Sequence, residues 1–86
     1  MRVTFTENGF REYTEWQQRD KKTLKRINEL IKSIQRDGFI DGIGKPEVLK
    51  GRKEYSRRID DANRLVYISD GDKNVVIVSC KGHYEE

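Results

Sequence analysis

Arg57, Arg58 and Arg64 crowd into the stretch Tyr55-Ser-Arg-Arg-Ile-Asp-Asp-Ala-Asn-Arg-Leu-Val-Tyr67. A guanidinium fork is the side chain best matched to phosphate oxygens. The stretch reads as a β-hairpin, because aromatic and branched residues flank a polar turn, Asp60-Asp61-Ala62-Asn63. Neighbours on a strand point to opposite faces, so Arg57 and Arg58 cannot enter one core and at least one of them faces outward. A solvated sheet face explains a single arginine. Three of them beside a basic loop point to a sheet that binds phosphate. Upstream lies Glu47, between Lys45 and Lys50, which by default is a surface carboxylate in loose ion pairs. Downstream the chain's one histidine, His83, stands beside Tyr84 where nothing in packing calls for it.

Other chemistries fit poorly. The Gly44-Lys45 pair suggests a phosphate loop, but Phe39 stands where its first glycine belongs and Pro46 replaces its Ser or Thr, so nucleotide hydrolysis is disfavoured. One histidine and one cysteine supply no zinc-ligand spacing, and neither a metal nor another cofactor is expected. Cys80 cannot form an intramolecular disulfide; it falls in a predicted strand and reads as a small buried hydrophobe. No signal-like apolar run opens the chain and none reaches membrane-spanning length, so a soluble, cytoplasmic protein is expected.

The elements that must position these residues are legible from periodicity. The 86 residues suit one domain, 1–86, with a modest core. Arg2 to Thr6 alternates and reads as a first strand. Thr6 or Asn8 can cap a helix over about Glu7 to Gln18, with Phe10, Tyr13 and Trp16 as a core stripe. Asp20 looks like the cap of a second helix, Lys21 to about Arg36, where Leu24, Ile27, Leu30, Ile31 and Ile34 keep helical spacing. Its other face carries Lys21, Lys22, Lys25, Arg26 and Lys32, a solvated face that could also touch a polyanion. Gly38 should end it. Phe39 to Gly51 reads as loop. The hairpin follows, with Arg64 to Ile68 as its second strand. After a turn at Ser69–Asn74, Val75 to Lys81 reads as a central strand, apolar on both faces at first. The order predicts an α+β fold: an N-terminal strand, then two helices packed on one face of a mostly antiparallel sheet whose other face stays partly open.

Net charge is +3 and unevenly spread: Lys21 to Arg36 holds six basic residues against one acidic, and Gly44 to Arg64 seven against four. This is compatible with a nucleic-acid partner without requiring one. RNA would carry its own nucleophile, the 2′-hydroxyl beside the scissile phosphate. The protein would then need a base for that hydroxyl, cations for the charge growing on phosphorus and an acid for the leaving 5′-oxygen. Glu47, Arg58 or Arg64, and His83 could supply those roles, and Tyr84 could stack on a base or steady the phosphate.

The blocks Trp16-Gln17, Arg26-Ile-Asn-Glu-Leu-Ile-Lys-Ser-Ile-Gln-Arg-Asp37, Gly44-Lys45-Pro46-Glu47 with Leu49-Lys50, Ser56-Arg-Arg-Ile59, Asn63-Arg-Leu-Val-Tyr67 and His83-Tyr84 occur in order along nearly the whole chain. In these the chain resembles the Txe/YoeB family of toxins in the RelE superfamily. The resemblance implies a RelE-like, microbial-RNase-like fold and cleavage of mRNA in the ribosomal A site, leaving 2′,3′-cyclic phosphate and 5′-hydroxyl ends without a metal. It implies Glu47 as general base, Arg64 as phosphate-stabilising cation, His83 as the proposed general acid and Tyr84 as a tyrosine that orders the site. Lys50 and Arg58 match supporting basic positions, and Arg57 is grouped with them as an RNA-contacting cation. The implied partners are a YefM-type antitoxin, operator DNA only through the complex with antitoxin, and a second copy of the chain, since family members are often dimeric.

Three departures stand out. Tyr55 occupies a position that is commonly tryptophan in the family, Glu85 and Glu86 follow the usual terminal tyrosine, and the Gly51-Arg-Lys-Glu54 loop is short. None removes a proposed catalytic group. The competing readings are a ParE-like protein that poisons DNA gyrase by binding, against which Glu47 and His83-Tyr84 argue, and a ribosome- or RNA-binding module without catalysis.

Overall fold

The computed structural model describes residues 1–49 and 53–82. Strand β1 (Val3–Phe5) leads into helix α1 (Glu7–Arg19), which Thr6 opens by accepting the Gly9 N–H at 3.0 Å. Gly9 packs flat on the sheet: a Cβ there would stand 2.3 Å from the Ile77 carbonyl oxygen. Asp20 then serves two helices. Its N–H caps α1 through the Trp16 carbonyl, and its carboxylate accepts the Lys22 and Thr23 N–H groups that open α2 (Lys21–Asp37). One residue thus turns the chain between helices without a longer loop. Gly38, with φ of 97°, closes α2.

The remaining elements are β2 (Glu47–Val48), β3 (Tyr55–Arg58), β4 (Arg64–Ser69) and β5 (Val75–Ser79). They form a five-stranded sheet in the order β1-β5-β4-β3-β2. Among the described residues only the β1–β5 pair is parallel, so the sheet is mostly antiparallel, with two helices against one face, as the pattern of elements predicts. The core joins Ile27, Leu30 and Ile34 of α2 to Leu65, Tyr67, Val75 and Ile77 of the sheet, with Ile59 and Cys80 at its margins. Ile27, Leu30 and Ile34 are fully buried, each contributing about 1.5–3 kcal/mol of apolar burial.

The structure corrects three local expectations. The segment read as loop from Phe39 to Gly51 contains the short edge strand β2. Phe10 does not join the core with Tyr13 and Trp16; it is 57% exposed and packs edge-on to Phe5, at 6.1 Å between ring centres. The last strand stops at Ser79, so Cys80 is buried just beyond it. There α1 takes over from the short β1. Asn8 donates to the Val78 carbonyl, the Glu12 carboxylate accepts from the Cys80 N–H at 2.8 Å, and Trp16 Nε1 donates to the Cys80 carbonyl at 2.8 Å. Helix side chains thereby replace the missing strand partner.

Candidate functional site

Register decides which side chains meet. Residues opposite one another in an antiparallel pair share a face. Glu47 lies opposite Ser56, Ser56 opposite Val66, and Arg58 opposite Arg64. Positions two apart on a strand also share a face, so Glu47, Ser56, Arg58, Arg64 and Val66 all belong to one face of the sheet. Leu65 and Tyr67 belong to the other, which the helices cover. On the first face Glu47 and Arg58 are exposed and Arg64 is half-buried. Ser56 and Val66 lie between them and are buried. Glu47 and Arg64 are two strands and two residues apart, about 12 Å between Cα atoms at ordinary sheet spacing. Side chains from two such positions can flank one phosphate.

The hairpin turn is organised by Asp60. Its carboxylate accepts the Ala62 and Asn63 N–H groups at 2.8 and 2.7 Å, while the Ile59 N–H donates to the Asn63 carbonyl at 3.0 Å. Burial pulls the Asp60 carboxyl upward, but these N–H donors and the Asn63 amide outweigh it and hold the group below its ordinary value. Asn63, thus fixed, accepts the Gly82 N–H on its side-chain oxygen at 2.8 Å, and the Arg64 N–H donates to the Gly82 carbonyl at 3.0 Å. The last described residue is therefore bound at both backbone groups beside Arg64. His83 and Tyr84, the next residues in the chain, lie outside the described residues, as does Lys50.

Arg57 does not belong with the outward cations. It is fully buried on the helix-facing side, opposite Leu65. Its Nε donates to the Tyr67 hydroxyl at 2.8 Å. Nη1 donates to Ser33 Oγ and to the Ile43 carbonyl, both at 3.0 Å, and Nη2 to the Gly38 and Asp41 carbonyls at 2.7 and 2.6 Å. All five N–H donors of the guanidinium are occupied. An RNA-contacting role for Arg57 is ruled out by that occupancy: strand alternation sends Arg58 out and Arg57 in. Tyr67 stacks with Tyr55 and Phe39, with ring centres 5.5 and 6.2 Å away, and donates its hydroxyl to the Phe39 carbonyl at 2.6 Å. Burial pushes the Tyr67 phenol up, against the opposing pull of Arg57.

Sequence reasoning missed Ser33, Tyr67 and Asn63 as organisers of this region. Ser33 did carry a signal. It sits between Leu30 and Ile34 on the buried stripe of α2, and a polar group there implies a buried partner. Asn63 read as turn chemistry alone.

Residues 5–84 match the family model described as YoeB-like toxin of bacterial type II toxin-antitoxin system. Toxin YoeB from Synechocystis sp. is 52% identical over 87 residues, covering 99% of this chain and 99% of the relative. Two solved structures from Staphylococcus aureus are each 51% identical and match 98% of both chains. One is a heterotetrameric YoeB-YefM toxin-antitoxin complex, TM-score 0.89, and the other a YoeB dimer, TM-score 0.90.

Proposed function

This chain belongs to the YoeB-like toxins of bacterial type II toxin-antitoxin systems, and on that premise we propose that it is a ribosome-dependent endoribonuclease acting on mRNA in the A site. The observation that supports this best is the sharing of one sheet face by Glu47, Arg58 and Arg64, with the chain leading to His83 bound beside Arg64. Glu47 takes the proton of the 2′-hydroxyl, whose oxygen attacks phosphorus. Arg64 and Arg58 offset the charge that grows on the phosphoryl oxygens. The bond from phosphorus to the 5′-oxygen breaks, and His83 returns a proton to that oxygen. Tyr84 orders the site and Lys50 supports RNA binding. The products are a 2′,3′-cyclic phosphate and a 5′-hydroxyl. Because RNA supplies the attacking oxygen, the reaction needs neither metal nor other cofactor from the protein.

The reaction places the protein in the cytoplasm with the ribosome. A YefM-type antitoxin neutralises it, operator DNA is reached only through that complex, and the free toxin forms a homodimer. The test adds purified protein to ribosomes stalled on a labelled message. Cleavage within the A-site codon is expected, with Glu47→Gln and His83→Gln each about 10²- to 10⁴-fold slower at unchanged ribosome binding. A message with a 2′-deoxy sugar at the scissile position should resist cleavage. No cutting by the wild type, with DNA gyrase inhibited instead, would overturn the proposal in favour of a ParE-like activity.

A further inference from the structure

The guanidinium of Arg57 is buried without a carboxylate among its five hydrogen-bond acceptors. The hydrogen-bond link to Asp37 runs through Ser33: its Oγ donates to Asp37 Oδ2 at 2.9 Å while accepting from Arg57 Nη1 and from the Ile43 N–H at 3.2 Å. An apolar side chain would fill this space without the cost of desolvating a charge. What the cation adds is directional. Three of its acceptors are carbonyls of the segment joining α2 to β2, at Gly38, Asp41 and Ile43, and its partner Tyr67 binds a fourth at Phe39.

That segment has no ladder of its own until β2. It turns through positive φ at Gly38, Gly42, Gly44 and Lys45. Its far end is tied by the Arg58 N–H to the Gly44 carbonyl at 2.7 Å, and three residues later comes Glu47 on a two-residue edge strand. The chain also lies directly on the arginine: a Cβ at Gly42 would stand 2.2 Å from Ser33 Oγ and 3.0 Å from Arg57 Nη1, and one at Gly44 3.2 Å from Arg57 Cβ. We infer that Arg57, with Ser33 and Tyr67, is a positioning residue that fixes the α2–β2 segment from inside the core and so sets where Glu47 stands on the opposite face. The inference rests on the nuclease reading of Glu47.

The test combines Ser33→Ala and Tyr67→Phe, each of which removes one hydroxyl and keeps the packing, with Glu47→Gln in double-mutant cycles. Arg57→Lys is a severer companion. Single-turnover cleavage on stalled ribosomes should fall about 10- to 100-fold in Ser33→Ala and Tyr67→Phe, with the half-saturating ribosome concentration unchanged. Amide exchange should quicken over 43–49 while β4 and β5 keep their protection. In the Glu47→Gln background the same substitutions should have almost no further effect, since the group they position has lost its function. Losses that multiply in full in that background would overturn the inference, as would unchanged cleavage in both hydroxyl variants. If Glu47→Gln alone cuts like the wild type, it is the nuclease role of Glu47 that fails, and the inference with it.

Discussion

At the residue scale, two adjacent arginines have opposite roles, and substitution separates them. Arg57→Met removes the donor from the part-buried bonds to the Gly38, Asp41 and Ile43 carbonyls, each worth about 0.5–1.5 kcal/mol where water can take its place. It should lower the thermal midpoint sharply. Arg58 and Arg64 face one another across β3 and β4 as like charges, an arrangement that opposes strand pairing. Replacing Arg64 with Gln should therefore leave stability unchanged or raise it by about 0.2–1 kcal/mol. Cleavage should fall about 10²- to 10³-fold, the cost of losing one charge-stabilising donor. Denaturant unfolding alongside the ribosome assay reads both, and a destabilised Arg64→Gln would contradict the like-charge argument. Alternation showed in the sequence that Arg57 and Arg58 must part. It did not show which one enters, because Tyr55-Ser56-Arg57-Arg58 offers no apolar parity to choose by. Cys80 makes a simpler case. Burial, reinforced by Glu12 and Glu15, pushes its thiol up to about 12, so a disulfide reagent at neutral pH should react only after global unfolding.

At the scale of elements, the joint between α1 and β5 carries a steric demand set by backbone. Gly9 brings the first turn of α1 onto the Ile77 carbonyl, and a methyl group there meets backbone that cannot swing aside. Gly9→Ala should cost about 1–3 kcal/mol by overpacking and loosen the grip of α1 on the end of β5, read as faster exchange at Cys80. Stability equal to wild type would show that the helix shifts freely. The helices and the longer strands were legible in the sequence because each keeps its period long enough to show; α2 repeats its apolar spacing across 17 residues. Strand β2 has two residues and no period, and its pairing is made by β3 rather than by its own side chains. Phe10 kept helical spacing yet stayed exposed, packed edge-on to Phe5 of the edge strand β1. The outward face of the candidate site followed from strand parity, whereas the inner support from Ser33 and Tyr67 depended on contacts distant in the chain.

For the molecule as a whole, the joints between elements rest on carboxylates, which makes the fold sensitive to acid. Asp20 is held below its ordinary value of 3.8 first by the Thr23 hydroxyl and then by backbone N–H groups at the start of α2. Asp37 is lowered by Arg36 and Ser33, and Asp70 by the Asp72 N–H and by Asn74 in the turn before β5. Asp60 behaves likewise in the hairpin turn. In each case the folded pKa lies below the unfolded one. The stabilisation is therefore complete above the unfolded value of 3.8 and is lost as pH falls through that value toward the folded one. The urea midpoint should be level from neutral pH down to about 5 and then decline, as the unfolded chain takes up protons before the folded one does. Replacing Asp20 and Asp70 together with Ala should lower the midpoint at pH 7 and flatten the acid decline, because two of the groups that release stability are already gone. A decline as steep in the double variant as in the wild type would place the acid sensitivity elsewhere, in groups whose protonation does not act through these turns.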